Sequence, residues 1–265
     1  MIVRAMRRTG RGGRDIKLRK AAGVLDKLGR LIVDGSYAPD HRLPTEEELA
    51  QTLSVSRASL REGLKALAGK GLIESRARRG TTILAKSHWD MLDPDVLRWM
   101  AAAPPDEEFL IGLLEARGIF EPAAARLAAQ RASAAQIMEI ERAFRGMADS
   151  LPHDLDACHQ HDLAFHETIL RASGNVVLSR LAIAIRAALL TLFRISANVR
   201  KSYENSLAEH WAVAAAIRKR APDDAEEAMK VLLAGTARDL VPVVRPRPNR
   251  QSVQERGRKA ARGGR

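Results

Sequence analysis

The sequence predicts a mostly α chain: an N-terminal winged helix-turn-helix with a small β wing, joined to an all-α antiparallel helical bundle. Three observations carry this. Apolar residues recur three and four apart from Ile16 to about residue 241, the period of helices that bury one face. Prolines and cap residues cut that pattern into pieces of ordinary helix length, and only residues 71–84 read as strand. Charge is also unevenly spread. Within a net +12, residues 1–90 hold 19 basic and 10 acidic side chains, residues 91–244 hold 17 and 21, and residues 245–265 hold 8 and 1.

The chain has 265 residues, 46% of them hydrophobic, enough for one large domain or two ordinary ones. A single cysteine, Cys158, excludes a disulfide framework and any thiolate-only metal cluster. No apolar run approaches the roughly 20 residues of a membrane span. The basic start lacks the apolar core of a signal peptide, so a cytoplasmic location is expected.

Residues 1–14, with Arg4, Arg7, Arg8, Arg11 and Arg14, are expected to form a basic disordered arm, and residues 15–85 the winged domain. Ile16, Leu18, Val24, Leu25, Leu28, Leu31 and Ile32 mark a first helix that stops near Asp34-Gly35. Pro39 and Pro44 then force an extended turn. Thr45 and Glu48 form a capping box that opens a short helix over residues 46–53. Ser54-Val55-Ser56 is a tight turn, and Ser56 caps a third helix carrying Leu60, Leu64 and Leu67 on one face.

Two short helices across a three-residue turn make a helix-turn-helix. Its second helix presents its N-terminal turns to the major groove, where Arg57 and Arg61 can each meet guanine O6 and N7 with two hydrogen bonds. Ser59 and nearby backbone amides can hold phosphate. The strands around Arg76-Ala77-Arg78-Arg79-Gly80 form a basic wing. The plainer alternative is that these arginines form a solvated face.

Residues 86–105 read as a linker, closed by Pro104-Pro105 and containing Trp89 and Trp99. From residue 106 to 242 the pattern is all helix: Glu107 to Arg131, a Ser133-capped helix to about Ala148, then roughly 154–172, 175–199, 203–220 and 223–241. Residues 243–265 are expected to be a basic disordered tail. Within the bundle, Asp162 and His166 share a helix face, and His210 sits on a later helix. A carboxylate and imidazoles from separate helices can ligate a divalent cation, although an Asp-x-x-x-His pair is also commonly a hydrogen-bonded pair. Arg117 could pair with Glu121 at i+4.

Leu43-Pro44-Thr45-Glu46-Glu47-Glu48-Leu49-Ala50, Val55-Ser56-Arg57-Ala58-Ser59-Leu60-Arg61-Glu62, Gly71-Leu72-Ile73 and Arg79-Gly80-Thr81 resemble the winged helix-turn-helix of the GntR family of bacterial transcriptional regulators. Residues 106–241 resemble the FCD ligand-binding domain of its FadR subfamily, through Glu115-Ala116-Arg117-Gly118-Ile119-Phe120-Glu121-Pro122, Asp162-Leu163-Ala164-Phe165-His166, Ser173-Gly174-Asn175 and Glu209-His210-Trp211.

The resemblance implies DNA contacts from Arg57, Arg61 and Gly80, to which Thr45, Ser56, Ser59, Arg78 and Arg79 are added as candidates. Glu47 stands where a further DNA-contacting arginine is usual. It implies metal ligands at Asp162, His166 and His210 for one divalent ion of the Zn, Ni or Mn class, and effector contacts from Arg117, Asn175 and His210. Leu232 occupies the position of a third histidine, so the ion is either completed by effector oxygens and water or is weak or absent.

The resulting expectation is a homodimer on a palindromic double-stranded operator. It represses a sugar-acid operon, with an aldonate such as galactonate in mind, and is released by a small organic acid. The alternatives are a regulator answering another carboxylate, whether dicarboxylate, hydroxy acid or acyl ligand, and a metal-dependent enzyme fused to a DNA-binding module.

Overall fold

The computed structural model describes residues 10–76, 80–195 and 199–244. The chain divides into two compact units, Met1–Pro104 and Pro105–Arg265.

The first unit opens with α1 (Gly10–Val33), which buries Val24, Leu28 and Ile32. This helix takes in residues 10–14, which the sequence assigns to the arm. The short α2 (Glu46–Thr52) begins at the expected capping box: Glu48 N donates to Thr45 Oγ1 at 3.3 Å and Thr45 N donates to Glu48 Oε2 at 2.8 Å. Ser54, with φ 53°, turns the chain into α3 (Arg57–Gly69), which packs Leu60, Leu64 and Leu67 against α1 and α2. The wing follows as β1 (Ile73–Arg76) and β2 (Gly80–Ile83), antiparallel and in register from Ile73 opposite Ile83 to Arg76 opposite Gly80. Residues 40–43 add to the free edge of β2 through Asp40 N, Leu43 N and the Arg42–Thr82 bridge.

The expected linker is instead part of this unit. Residues 94–102 form α4 (Pro94–Ala102), with Asp93 as its N-cap and proline in its first turn. Asp93-Pro94 thus opens a helix inside the stretch read as a linker. Trp99, 1% exposed, packs on Gly29 of α1, and its Nε1 donates to Asp26 Oδ1 at 2.8 Å. Lys70, at the end of α3, reaches Asp93 at 2.7 Å and Asp95 at 2.9 Å. Two elements of the winged domain, α1 and the end of α3, therefore hold the connector.

The second unit comprises α5 (Glu107–Arg131), α6 (Ala134–Ser150), α7 (Leu155–Ala172), α8 (Val176–Ile195), α9 (Val199–Arg218) and α10 (Pro222–Val244), close to the expected boundaries. Asp106, Ser133 and Asp154 cap α5, α6 and α7, and Ser133 forms a capping box with Gln136. Ala124, Ala125, Ala128 and Ala129 are all buried, so α5 presents a narrow face to its neighbours α7 and α10. Phe165, Ile169, Val213, Ile217 and Met229 fill the space around it. Among the described residues, no helix is long and apolar enough to cross a membrane.

Candidate functional site

In the first unit, Arg57 and Arg61 lie one turn apart at the exposed front of α3. Neither is idle. Arg57 Nη2 donates to Glu47 Oε1 at 2.6 Å, and Arg61 Nε donates to Glu46 Oε2 at 2.7 Å, so both arginines are paired with the first turn of α2. Gly80 opens β2 at φ 80°, a backbone conformation that glycine adopts without strain. Arg78 and Arg79 lie outside the described residues.

Of the expected DNA contacts, Ser59 is buried, while Ser56 and Thr45 serve as the helix caps the sequence predicted. Ser59 is 1% exposed, its hydroxyl accepts from Ser56 Oγ at 3.0 Å, and a side chain so placed is not available to phosphate. Ser56 accepts from Ser59 N at 3.1 Å as the helix cap, and the Thr45 hydroxyl belongs to its own capping box. Helix caps use the short hydroxyl side chains that phosphate contacts also use, which is why sequence alone does not separate them.

In the second unit, Asp162 and His166 of α7 meet His210 of α9 as expected, and one ligand atom from each lies within 4.8 Å of the others. His210 Nε2 is 3.0 Å and His166 Nε2 3.5 Å from Asp162 Oδ1. Ligand atoms on a tetrahedral ion with bonds near 2.0–2.2 Å stand about 3.3–3.6 Å apart; the 3.5 Å spacing falls in that range, and the 3.0 Å spacing is that of a direct hydrogen bond. The remaining ring nitrogens are already committed: His210 Nδ1 to the Ser206 carbonyl at 2.7 Å and His166 Nδ1 to Glu121 Oε2 at 2.5 Å. A second partner of this kind fixes each imidazole with Nε2 turned toward the cluster. Phe165 stands edge-on to both rings, its centroid 5.5 Å from His166 and 5.2 Å from His210.

Glu121 is the residue that sequence reasoning missed in this role. It bridges His166 to Arg117, whose Nε donates to Glu121 Oε1 at 2.5 Å, the i+4 pair foreseen as an alternative. Arg117 is 2% exposed, and its Nη1 has no hydrogen-bond partner among the described residues. Burying part of a guanidinium without a partner is costly, which marks the group as awaiting an acceptor.

The electrostatics agree. Burial would raise the Glu121 pKa, but the Arg117 and His166 charges outweigh it and hold the carboxyl down at about 2. Burial would likewise raise Asp162, yet hydrogen bonds from His166 and His210 keep it well below the usual carboxylate range. Burial would lower His166, while the Glu121 charge and the Asp162 hydrogen bond push it up to about 9. The site is thus built around two carboxylates that stay ionised. Cys158 contributes no thiolate, since burial and then the Asp162 charge push its pKa up to about 12.

Asn175 was expected among the effector contacts. Its Oδ1 instead accepts from Val177 N at 2.9 Å and Leu178 N at 3.3 Å, capping the start of α8. Leu232 is 1% exposed in the apolar core and offers no donor atom for an ion.

A winged helix-turn-helix on one unit and a buried polar cluster inside an all-helical second unit define a DNA-binding transcriptional regulator with a small-molecule-sensing domain. The chain belongs to the gntR family of bacterial regulatory proteins, in its FCD-containing, FadR-type branch: the gntR family model matches residues 20–83 and the FCD domain model residues 112–235. It is 34% identical over 224 residues to the galactonate operon transcriptional repressor of Escherichia coli (strain K12), spanning 84% of this chain and 97% of that protein. It is 33% identical over 159 residues to the Glc operon transcriptional activator of the same organism, 58% of this chain and 61% of that one. The solved structure of Lar, which controls the expression of the Listeria monocytogenes agr system, shares the fold at 18% identity, with a TM-score of 0.57 over 84% of this chain and 95% of that chain.

Proposed function

We propose that the chain is a dimeric repressor of a sugar-acid catabolic operon, released from a palindromic operator by a small monocarboxylate of the aldonate class. Two copies of α3 would enter successive major grooves, with Arg57 and Arg61 reading base edges and the wing around Gly80 following the backbone. The similarity to the galactonate operon repressor over nearly its whole length supports the ligand class.

The observation that carries the ligand site is the unpartnered Nη1 of Arg117, buried one residue-to-residue contact from Glu121 and two from the histidine cluster. A carboxylate supplies the acceptor it lacks. Asp162, His166 and His210 would hold one divalent ion, of the Zn, Ni or Mn class, which when bound supplies positive charge and open positions for ligand oxygens. Because Leu232 cannot ligate, those positions fall to ligand hydroxyls and water. Arg117 orients the carboxylate, Glu121 holds both Arg117 and His166, and Phe165 keeps bulk water from one side of the rings.

For regulation, the acid must bind the DNA-incompetent dimer more tightly than the competent one, since equal affinity shifts nothing. The test is a gel shift on the DNA upstream of its own operon at moderate salt, with and without candidate acids. A specific shift that galactonate or a related aldonate removes is expected; absence of any specific shift sinks the proposal. Release by a dicarboxylate or an acyl ligand would replace the aldonate assignment while keeping the site.

A further inference from the structure

We infer that Glu46 and Glu47, at the front of α2, are positioning residues that set the base specificity of α3 by fixing the guanidinium groups of Arg57 and Arg61. Nothing in the residue spacing shows this. Glu47 is ten positions from Arg57 and Glu46 fifteen from Arg61, and only the turn at Ser54 brings the pairs to 2.6 and 2.7 Å.

Two features make the pairing selective. Arg57 and Arg61 are four apart on one helix face, so their charges repel, and a carboxylate on each relieves this. The carboxylates themselves sit in the first turn of α2, where the helix dipole favours negative charge and the Thr45–Glu48 capping box fixes the backbone. Their backbone is therefore fixed, while both pairs lie on the surface, with side-chain exposures of 63% for Arg57 and for Glu47 and of 69% and 43% for Arg61 and Glu46. Arg61 is gripped through Nε, which leaves its Nη1 and Nη2 edge directed away from the contact. That edge is the two-pronged donor that matches guanine O6 and N7. Arg57 is gripped through Nη2 and retains Nε and Nη1.

An acid beside a DNA-facing surface also repels phosphate, so it weakens binding to every sequence. The consequence is a trade: lower overall affinity, higher discrimination. Glu47 thus acts as a brace for Arg57.

The inference rests on Arg57 and Arg61 touching bases, and the experiment separates the two claims. The full chain selects its preferred duplex from a randomised library, and affinities for that duplex and a scrambled one are measured by fluorescence anisotropy. Arg57→Ala and Arg61→Ala test the contact itself; if neither alters selection, the reading of these arginines fails and the inference falls with it. Glu46→Gln and Glu47→Gln are compared with Glu62→Gln, which removes an exposed charge from α3 outside both pairs. The expected result is tighter binding to scrambled DNA and a fall of about tenfold in the preferred-to-scrambled ratio for the Glu46 and Glu47 variants. Glu46→Asp, which keeps the charge but shortens the reach, should lose discrimination without gaining general affinity. If the ratio is unchanged in all of them, or falls equally in Glu62→Gln, the positioning role is overturned.

Discussion

His210 Nε2 lies 3.0 Å from Asp162 Oδ1 across two helices, while Nδ1 of the same ring is held by the Ser206 carbonyl at 2.7 Å. An imidazole fixed at one nitrogen and facing a buried carboxylate with the other is arranged for a cation between them.

Titration of metal-free protein with Zn, Ni or Mn ions should accordingly reveal about one site per chain. At a free ion concentration 100 times Kd, binding should raise stability by about 2.7 kcal/mol, visible as a higher Tm that a chelator reverses. His210→Ala should abolish both the stoichiometric binding and the Tm rise. An equal rise in the variant would place the ion elsewhere.

Asp26 ties the connector to α1, accepting from Arg30 Nε at 2.8 Å, Arg98 Nη1 at 2.7 Å and the buried Trp99 indole at 2.8 Å. Asp26→Leu leaves the indole without its acceptor and should destabilise the first unit by about 1–3 kcal/mol. The hydrogen bond from Arg30, with those from Trp99 and Arg98, holds the Asp26 pKa below its ordinary value of 3.8 despite some burial. A depressed carboxylate pKa contributes stability above the unfolded value and loses it as pH falls toward the folded one. The advantage of wild type over Asp26→Asn in thermal unfolding should therefore be constant above about pH 5 and shrink as the solution is acidified below 3.8.

Two glycines of α1 should respond in opposite directions. A Cβ at Gly29 would sit 2.4 Å from the Trp99 ring, so Gly29→Ala must displace a large buried side chain and should cost about 1–3 kcal/mol. A Cβ at Gly23 meets nothing within 4 Å, and Gly23→Ala should gain up to about 1 kcal/mol from helix propensity alone. Urea unfolding of the two variants checks both signs against wild type. A gain at Gly29 would contradict the packing of α4 on α1, and a loss at Gly23 would contradict its open surroundings.

Elements with local signals were legible in the sequence. The Thr45–Glu48 and Ser133–Gln136 capping boxes sit where their spacing placed them, and Asp162 and His166 share a helix face as spacing implied, while their meeting with His210 followed from the family resemblance. What escaped reading depends on contacts between distant segments or on chemistry shared by two roles. Asp93-Pro94 is equally a break and a helix start, and only Trp99 packing on Gly29 decides between them. Ser59 and Asn175 carry groups suited to ligands and to caps alike, and both are used as local partners of helix starts. Glu121 was visible as a partner of Arg117, but its second bond to His166 joins residues 45 positions apart.

Occupancy of upstream DNA as an aldonate is added to metal-loaded protein, followed for wild type and Arg117→Lys in parallel, tests the ligand site most directly. The lysine keeps a charge near Glu121 but lacks the planar second donor arm. Wild type should leave the DNA as the acid is added, and the variant should stay bound until roughly tenfold more acid is present, a difference of about 1.4 kcal/mol in ligand affinity. Identical release curves for the two proteins, or none from wild type with any small carboxylate, would contradict it.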